Sequence, residues 1–155
     1  MNPRTILFVL FAGLFLISGA PLSLAQEETV KERKKLMKSN NKISRALRTA
    51  VKEKDYAAIQ SQSKKLIANM DKVAALFPKG STAKDSRALK SIWSDWTGFN
   101  DNIGWAKTSA NNLSAAAAAK DTQLVKLEYD AVRSACSQCH RSYRKRSRRS
   151  KKKKK

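Results

Sequence analysis

Residues 121–144, DTQLVKLEYDAVRSACSQCHRSYR, hold the chain's only two cysteines, Cys136 and Cys139, and its only histidine, His140. Asp121 is a good helix-capping residue. Leu124, Leu127 and Val132 follow as apolar positions leading into the cysteines. The stretch reads as a capped helix carrying C-x-x-C-H deep inside it. A disulfide framework normally uses four or more cysteines, and one bridge across a single helical turn would be strained. A structural zinc site needs four ligands, and the chain offers three of the usual kind. A thioredoxin-like pair wants a strand before it and a helix starting at it, whereas this pair lies within a helix.

The remaining reading is covalent haem attachment. Both thiols bond the haem vinyl groups, and the adjacent imidazole binds the iron. The spacing suits that chemistry, because residues three apart on a helix share a face and His140 lies one step around. The cofactor expected is therefore one haem c, held by Cys136, Cys139 and His140.

The N-terminus agrees with that chemistry. MNPRTILFVLFAGLFLISGAPLSLAQEE has one positive charge, Arg4, and an apolar run from Ile6 to Ala20. The run falls short of the roughly 20 residues a span needs, and small residues precede a cleavage point after Ala25. Residues 1–25 read as a secretory signal peptide. The chain is then exported to the periplasm, outside the cytoplasm, where haem attachment takes place.

Residues 26–144 are the length of one domain with one core. Proline and glycine are scarce and alanine is frequent, so helix is favoured. The first helix is expected from Glu28 to Lys54, with Val30, Met37, Ile43, Leu47 and Val51 near the helical period. Asp55 caps the second, which carries Ile59, Leu66, Ile67, Met70, Val73 and Leu76. FPKGSTAKDS, residues 77–86, interrupts it, because Pro78 and Gly80 do not continue a helix. The third is expected from Ser86 to Ala119, with Trp93, Trp96, Phe99 and Trp105 as core residues, at least one of them a candidate for contact with a porphyrin. Gly98 and Gly104 inside it allow close packing or a bend. Short links between long amphipathic helices imply an all-α, antiparallel up-down-up-down four-helix bundle, with the haem motif on the C-terminal helix.

The formal charge of the whole chain is +21. Body and tail should both seek anionic partners, with salt-sensitive affinity. Residues 145–155 read as a disordered basic tail. It resembles a nucleic-acid patch, but export argues against nucleic acid as the partner. It is expected to hold the protein to an anionic membrane surface or to the acidic surface of a redox protein. No separate acid–base pair or nucleophile array is visible, so an enzyme is not expected.

The motif's place in the chain carries a family resemblance. Most small c-type cytochromes hold C-x-x-C-H near the N-terminus; here it lies on the last helix of a four-helix chain. KERKKLMKSN, LFPKGS, ALKSIWSDWTGFNDNIGWAKTSANNLSAAAAAKD and ACSQCHRSYR resemble the first helix, turn, third helix and haem site of the class II c-type cytochromes, the cytochrome c prime family. The resemblance spans nearly the whole body. It implies that Cys136 and Cys139 form the thioethers and His140 is the proximal ligand. Arg144 matches a basic residue near the proximal histidine, and Arg33 an arginine near the haem propionates. Met37 falls at the distal position. Five-coordinate members place a bulky apolar residue there, often leucine. The low-spin branch typified by cytochrome c-556 has a methionine that binds iron. A methionine on an apolar stripe is usually packing, but histidine and methionine together are a common ligand pair in electron carriers.

Three functions are open at this point. The first is single-electron transfer with His140 and Met37 as axial ligands. The second is binding of nitric oxide or carbon monoxide at an open distal site. The third is an interaction protein whose tail carries the function. The resemblance also admits a homodimer through the first two helices.

Overall fold

Apolar side chains recur every three or four residues through four long stretches, and each forms a helix. They are α1 (Leu22–Glu53), α2 (Tyr56–Met70), α4 (Trp96–Ala118) and α5 (Thr122–Tyr143); a single turn, α3 (Ser91–Ser94), precedes α4. This computed structural model describes residues 22–146. The apolar run of the expected signal peptide and residues 147–155 of the tail lie outside the described residues. Among the described residues, no helix is long and apolar enough to cross a membrane.

Short turns join α1 to α2 and α4 to α5, so each pair runs antiparallel. α2 packs along α1 and α4, and α4 packs along α5, while α1 and α5 scarcely meet. The fold is the expected all-α, up-down-up-down four-helix bundle. Leu47, Ile59, Phe99 and Leu113 lie fully buried at its centre. Alanine and serine occupy much of the α4 core face, at Ala106, Ser109, Ala110, Ala116 and Ala117. Small side chains there bring the backbones of neighbouring helices close.

Several expectations about the helices are corrected. The third helix does not run unbroken from Ser86. Residues 86–90 are not helical, and Asp95 separates α3 from α4. Asp95 takes φ −128° and ψ 57° and caps α4 by accepting from the Gly98 N–H. The tryptophans do not all enter the core. Trp93 is half-buried, whereas Trp96 and Trp105 are 41% and 42% exposed. The α4 core face runs through Phe99, Ile103, Ala106, Ala110 and Leu113, and Trp105 falls off that stripe. Leu124 and Leu127 are also exposed. The inward stripe of α5 is set one residue away, at Val125, Tyr129 and Val132.

Gly98 answers to close approach. A Cβ there would sit 2.6 Å from Asp95 Oδ2 and 2.9 Å from the Tyr143 hydroxyl, whereas one at Gly104 would meet nothing within 4 Å. Gly80 answers to backbone conformation. It closes a turn in which the Ser81 N–H donates to Pro78 O at 3.1 Å, and its φ of 73° favours glycine.

Candidate haem-attachment site

The stripe that buries Val125, Tyr129 and Val132 continues at the helical period to Cys136, Cys139 and Tyr143. Both cysteines are half-buried and free, and Cys139 packs against the core. Burial pushes the Cys139 thiol up to about 11, with Cys136 adding to the shift. Burial raises Cys136 as well, tempered by a backbone hydrogen bond. Both are protonated thiols at neutral pH. His140, one step round from that stripe, is exposed. Partial desolvation of its ring, together with the positive charges of Arg144 and Arg87, holds the imidazole below its usual range. At neutral pH it keeps a free lone pair for a metal.

The bundle places Met37 at the same level. It lies 16 residues before the end of α1, and Cys136 to His140 lie 14 to 18 residues after the start of α5. With 1.5 Å of rise per residue, both are about 21–27 Å from the far end of the bundle. Met37 is half-buried and packs against the same core as Cys139. The helices that carry them hardly touch, so apolar side chains from both helices face a seam that neither closes.

Arg33, matched by resemblance to a propionate-binding position, is buried at 6% exposure. Its Nε donates to Leu76 O, and its Nη2 to Ser81 Oγ. Its Nη1 donates to Ser81 O at 3.0 Å. Its Cζ lies 4.1 Å from the centre of the Phe77 ring. Burial pulls its pKa down to about 10. Arg33 therefore clamps the turn after α2, using three of its five N–H donors. Trp93 Nε1 holds the same turn from α3, 3.1 Å from Phe77 O and 3.0 Å from Pro78 O.

Arg144 caps the C-terminal end of α5 in extended conformation, and its side chain is exposed. Its backbone pairs antiparallel with Ala88. Leu89 N–H donates to Tyr143 O at 3.0 Å, and Lys145 N–H to Arg87 O at 2.8 Å. This pairing brings Arg87 and Arg144 beside His140.

Sequence reading missed the clasp beneath the motif. The Tyr143 hydroxyl donates to Asp95 Oδ2 at 2.5 Å. That bond, with burial and the charge of Asp95, pushes the phenol up to about 12. Phe99 stacks edge-on against Tyr143 and Phe77, at 5.4 and 5.0 Å between ring centres. The Asp95-x-x-Gly98 spacing was a readable cap signal; the partnership of Asp95 with a tyrosine 48 residues away had no local signal.

The donor set fits a c-type haem. Two thiols share one inward face, a neutral imidazole follows them, and α1, with Met37 packed on the same core, scarcely touches α5 beside them. Among the described residues no three His, Cys, Asp or Glu side chains converge on a metal ion by themselves.

The family described as Cytochrome C' matches residues 28–144. Among solved structures, cytochrome c prime from Shewanella frigidimarina superposes with a TM-score of 0.72 at 22% identity, covering 78% of this chain and 97% of that one. Ferric cytochrome c prime from Alcaligenes xylosoxidans gives 0.71 at 26% identity, covering 79% and 97%. A ferrous arginine-to-lysine variant of the Alcaligenes protein, with bound NO, gives 0.71 at 26% identity and the same coverages. No curated protein sequence matches the chain.

Proposed function

This chain belongs to the cytochrome c prime family, and on that basis we propose that it binds a small diatomic gas, nitric oxide or carbon monoxide, on the Met37 side of its haem. As a member of the family, the protein carries a covalently attached haem c. That group supplies an iron that takes one electron and binds small ligands. In this reading Cys136 and Cys139 hold the haem, and His140 is its proximal ligand. The observation that carries the proposal is the seam between α1 and α5. The two helices scarcely meet, yet each turns half-buried side chains toward the shared core at the level of the motif. The NO carried by a similar structure supports the same choice of ligand. Arg33 and the turn it clamps keep α1 at a fixed place relative to the loop end. The C-x-x-C-H motif, whose haem is attached outside the cytoplasm, and the apolar N-terminal stretch support export to the periplasm through a cleaved signal peptide.

Electron transfer with Met37 as distal ligand is the second reading, in the manner of the cytochrome c-556 branch. One observation favours it: the residue at the distal level is a methionine and faces inward. A redox partner with an acidic surface belongs to that reading. Visible spectra of the haem-loaded protein separate the two. Gas binding expects a high-spin ferric spectrum and ready uptake of carbon monoxide by the ferrous protein, with little change in Met37→Leu. A low-spin spectrum that resists carbon monoxide, and turns high-spin in Met37→Leu, would replace the first reading with the second.

A further inference from the structure

The charge of the bundle is gathered on one side. α1 holds nine basic and four acidic residues, and α2 two basic and none acidic. α4 holds one of each, and α5 three basic against two acidic. From Lys34 to Lys52, α1 has seven basic side chains and no acidic one. The spacing turns much of that charge one way. Lys31, Lys34, Lys35, Lys38, Lys42 and Arg45 are all exposed. They recur at intervals of about three to four residues, so they form one stripe roughly 21 Å long. The opposite face of the helix buries Ile43, Leu47 and Ala50.

Little on the protein answers this charge. Lys31 and Lys35 pair with Glu28 and Glu32 at 3.3 and 3.7 Å, and Lys34 with Asp85 at 3.5 Å. These are exposed pairs of the kind that contribute little. Lys38, Lys42 and Arg45 have no ion pair among the described residues. A shallow hollow of about 510 Å³ runs along the stripe, lined by its five lysines and Ser39.

We propose that the lysine stripe of α1 docks side-on against an anionic lipid surface, independently of the C-terminal tail. Three properties select that occupant. Protein interfaces are enriched in aromatic residues and arginine and depleted in lysine. This stripe is mostly lysine, and no exposed large apolar side chain lies between residues 25 and 95. A surface of that kind has no side chain to seat in a partner's pocket. Flexible ammonium groups along a line do match a plane of headgroup phosphates. The homodimer through the first two helices that the resemblance admits would, in a two-fold contact through this face, set the stripe against itself.

Topology adds a further argument. α1 begins at the end of the bundle where α5 finishes. The described chain stops at that end, and its remaining residues carry only positive charge. The tail therefore departs from the same end as Lys31 and Lys34, and reinforces the attraction without being required for it.

The test is sedimentation of the haem-loaded protein with vesicles, either phosphatidylcholine alone or a mixture with phosphatidylglycerol, at low salt. Binding is expected to the anionic vesicles and not to the neutral ones. The variant Lys35→Glu, Lys38→Glu, Lys42→Glu should bind at least about tenfold more weakly. The tail variant, Lys151→Gln to Lys155→Gln, should keep most of the binding. Thermal melting and the haem spectrum of each variant check that the fold survives; all the substituted α1 residues are exposed. Equal binding to neutral vesicles would assign attachment to the apolar N-terminal stretch and overturn the proposal. So would full binding by the α1 variant, or loss of binding in the tail variant alone. Failure to bind either vesicle would also overturn it. If an acidic protein then bound the stripe, or the chain dimerised through it, the face would belong to that partner.

Discussion

The two ends of the bundle are closed by different means. At the far end, two turns of the same construction join α1 to α2 and α4 to α5. Lys54 and Lys120 take left-handed φ of 57° and 55°, and an aspartate follows each. The aspartate N–H reaches back to the carbonyl five residues earlier, Asp55 to Ala50 at 2.9 Å and Asp121 to Ala116 at 3.1 Å. The side chain of each then caps the next helix. At the motif end, closure comes from side chains that reach across 43 to 48 residues: Arg33 to Leu76 and Ser81, and Tyr143 to Asp95. Local closure fixes where helices stop. Long-range closure fixes how α1, the loop and α5 sit around the haem site. Substitutions at the far end should therefore change stability alone, and substitutions at the motif end should change stability and spectrum together.

The largest effect is expected at Arg33. Arg33→Met keeps an apolar stem but leaves Leu76 O and the Ser81 groups without their donor, in a place where Ser81 is 2% exposed. Hydrogen bonds from a charged group contribute roughly 1.5–3 kcal/mol each, and burial of the charge offsets part of their sum. A net loss of about 3 kcal/mol should appear in chemical denaturation of the haem-loaded protein. The haem spectrum should shift as well, because the turn and α1 lose their common anchor. A stable variant with an unchanged spectrum would place Arg33 outside the scaffold of the site.

Tyr143→Phe comes next. It removes a donor to a carboxylate and should cost about 1.5–3 kcal/mol. The bond also has a pH signature. The phenol titrates at about 12 in the folded chain against a usual value of 10. A group whose folded value is raised gives stability that is fully present below pH 10 and is lost as pH climbs toward 12. Asp95 lies against the phenol, and Cys139 and Asp101 act on it from α5 and α4. The difference in stability between the native chain and Tyr143→Phe should therefore shrink between pH 10 and 12. A constant difference across that range would mean that the hydroxyl contributes by packing, with no proton-linked bond.

The same contrast explains what could be read in advance. Asp55 and Asp121 cap amides two or three residues ahead, and that information is local. C-x-x-C-H is local too, and its place on the last helix of a chain already read as a bundle carried the family resemblance. The end of the second helix was misplaced: Pro78 and Gly80 put it after Leu76, whereas α2 stops at Met70 and Ala74–Leu76 form a separate tight turn of helix. Asp95 is harder. Its cap on the Gly98 N–H is local, but its bond with Tyr143 comes from another helix 48 residues on. The aromatic residues misled for a related reason. Trp96 and Trp105 have core chemistry, but the face of α4 is set by Phe99, Ile103, Ala106 and Ala110, and alanine gives a weak apolar signal. Leu124 and Leu127 misled in the same way, because the inward face of α5 uses Val125, Tyr129 and Ala135. Arg33 was legible as an arginine that matters, but its clamp on the loop was not, since those partners lie 43 and 48 residues on.

The smallest effect tests the far end. A left-handed conformation suits glycine and costs other residues roughly 1–2 kcal/mol. Lys120 and Lys54 stand where a helix-ending turn of this kind usually has glycine. Lys120→Gly removes that strain but gives the unfolded chain more freedom, so the net gain should be about 0.5–1 kcal/mol. Lys54→Gly should behave alike. The two turns are linked by the Tyr56 and Thr122 hydroxyls, 2.7 Å apart, so the double variant need not gain the full sum. Denaturation midpoints should rise in each variant, while the spectrum and carbon monoxide binding stay those of the native chain. A spectral change from Lys120→Gly would break the division between the two ends, because a strictly local turn would then be felt along the full length of α5. Unchanged or lowered stability would mean that the lysine stems gain enough from their surroundings to offset the backbone strain.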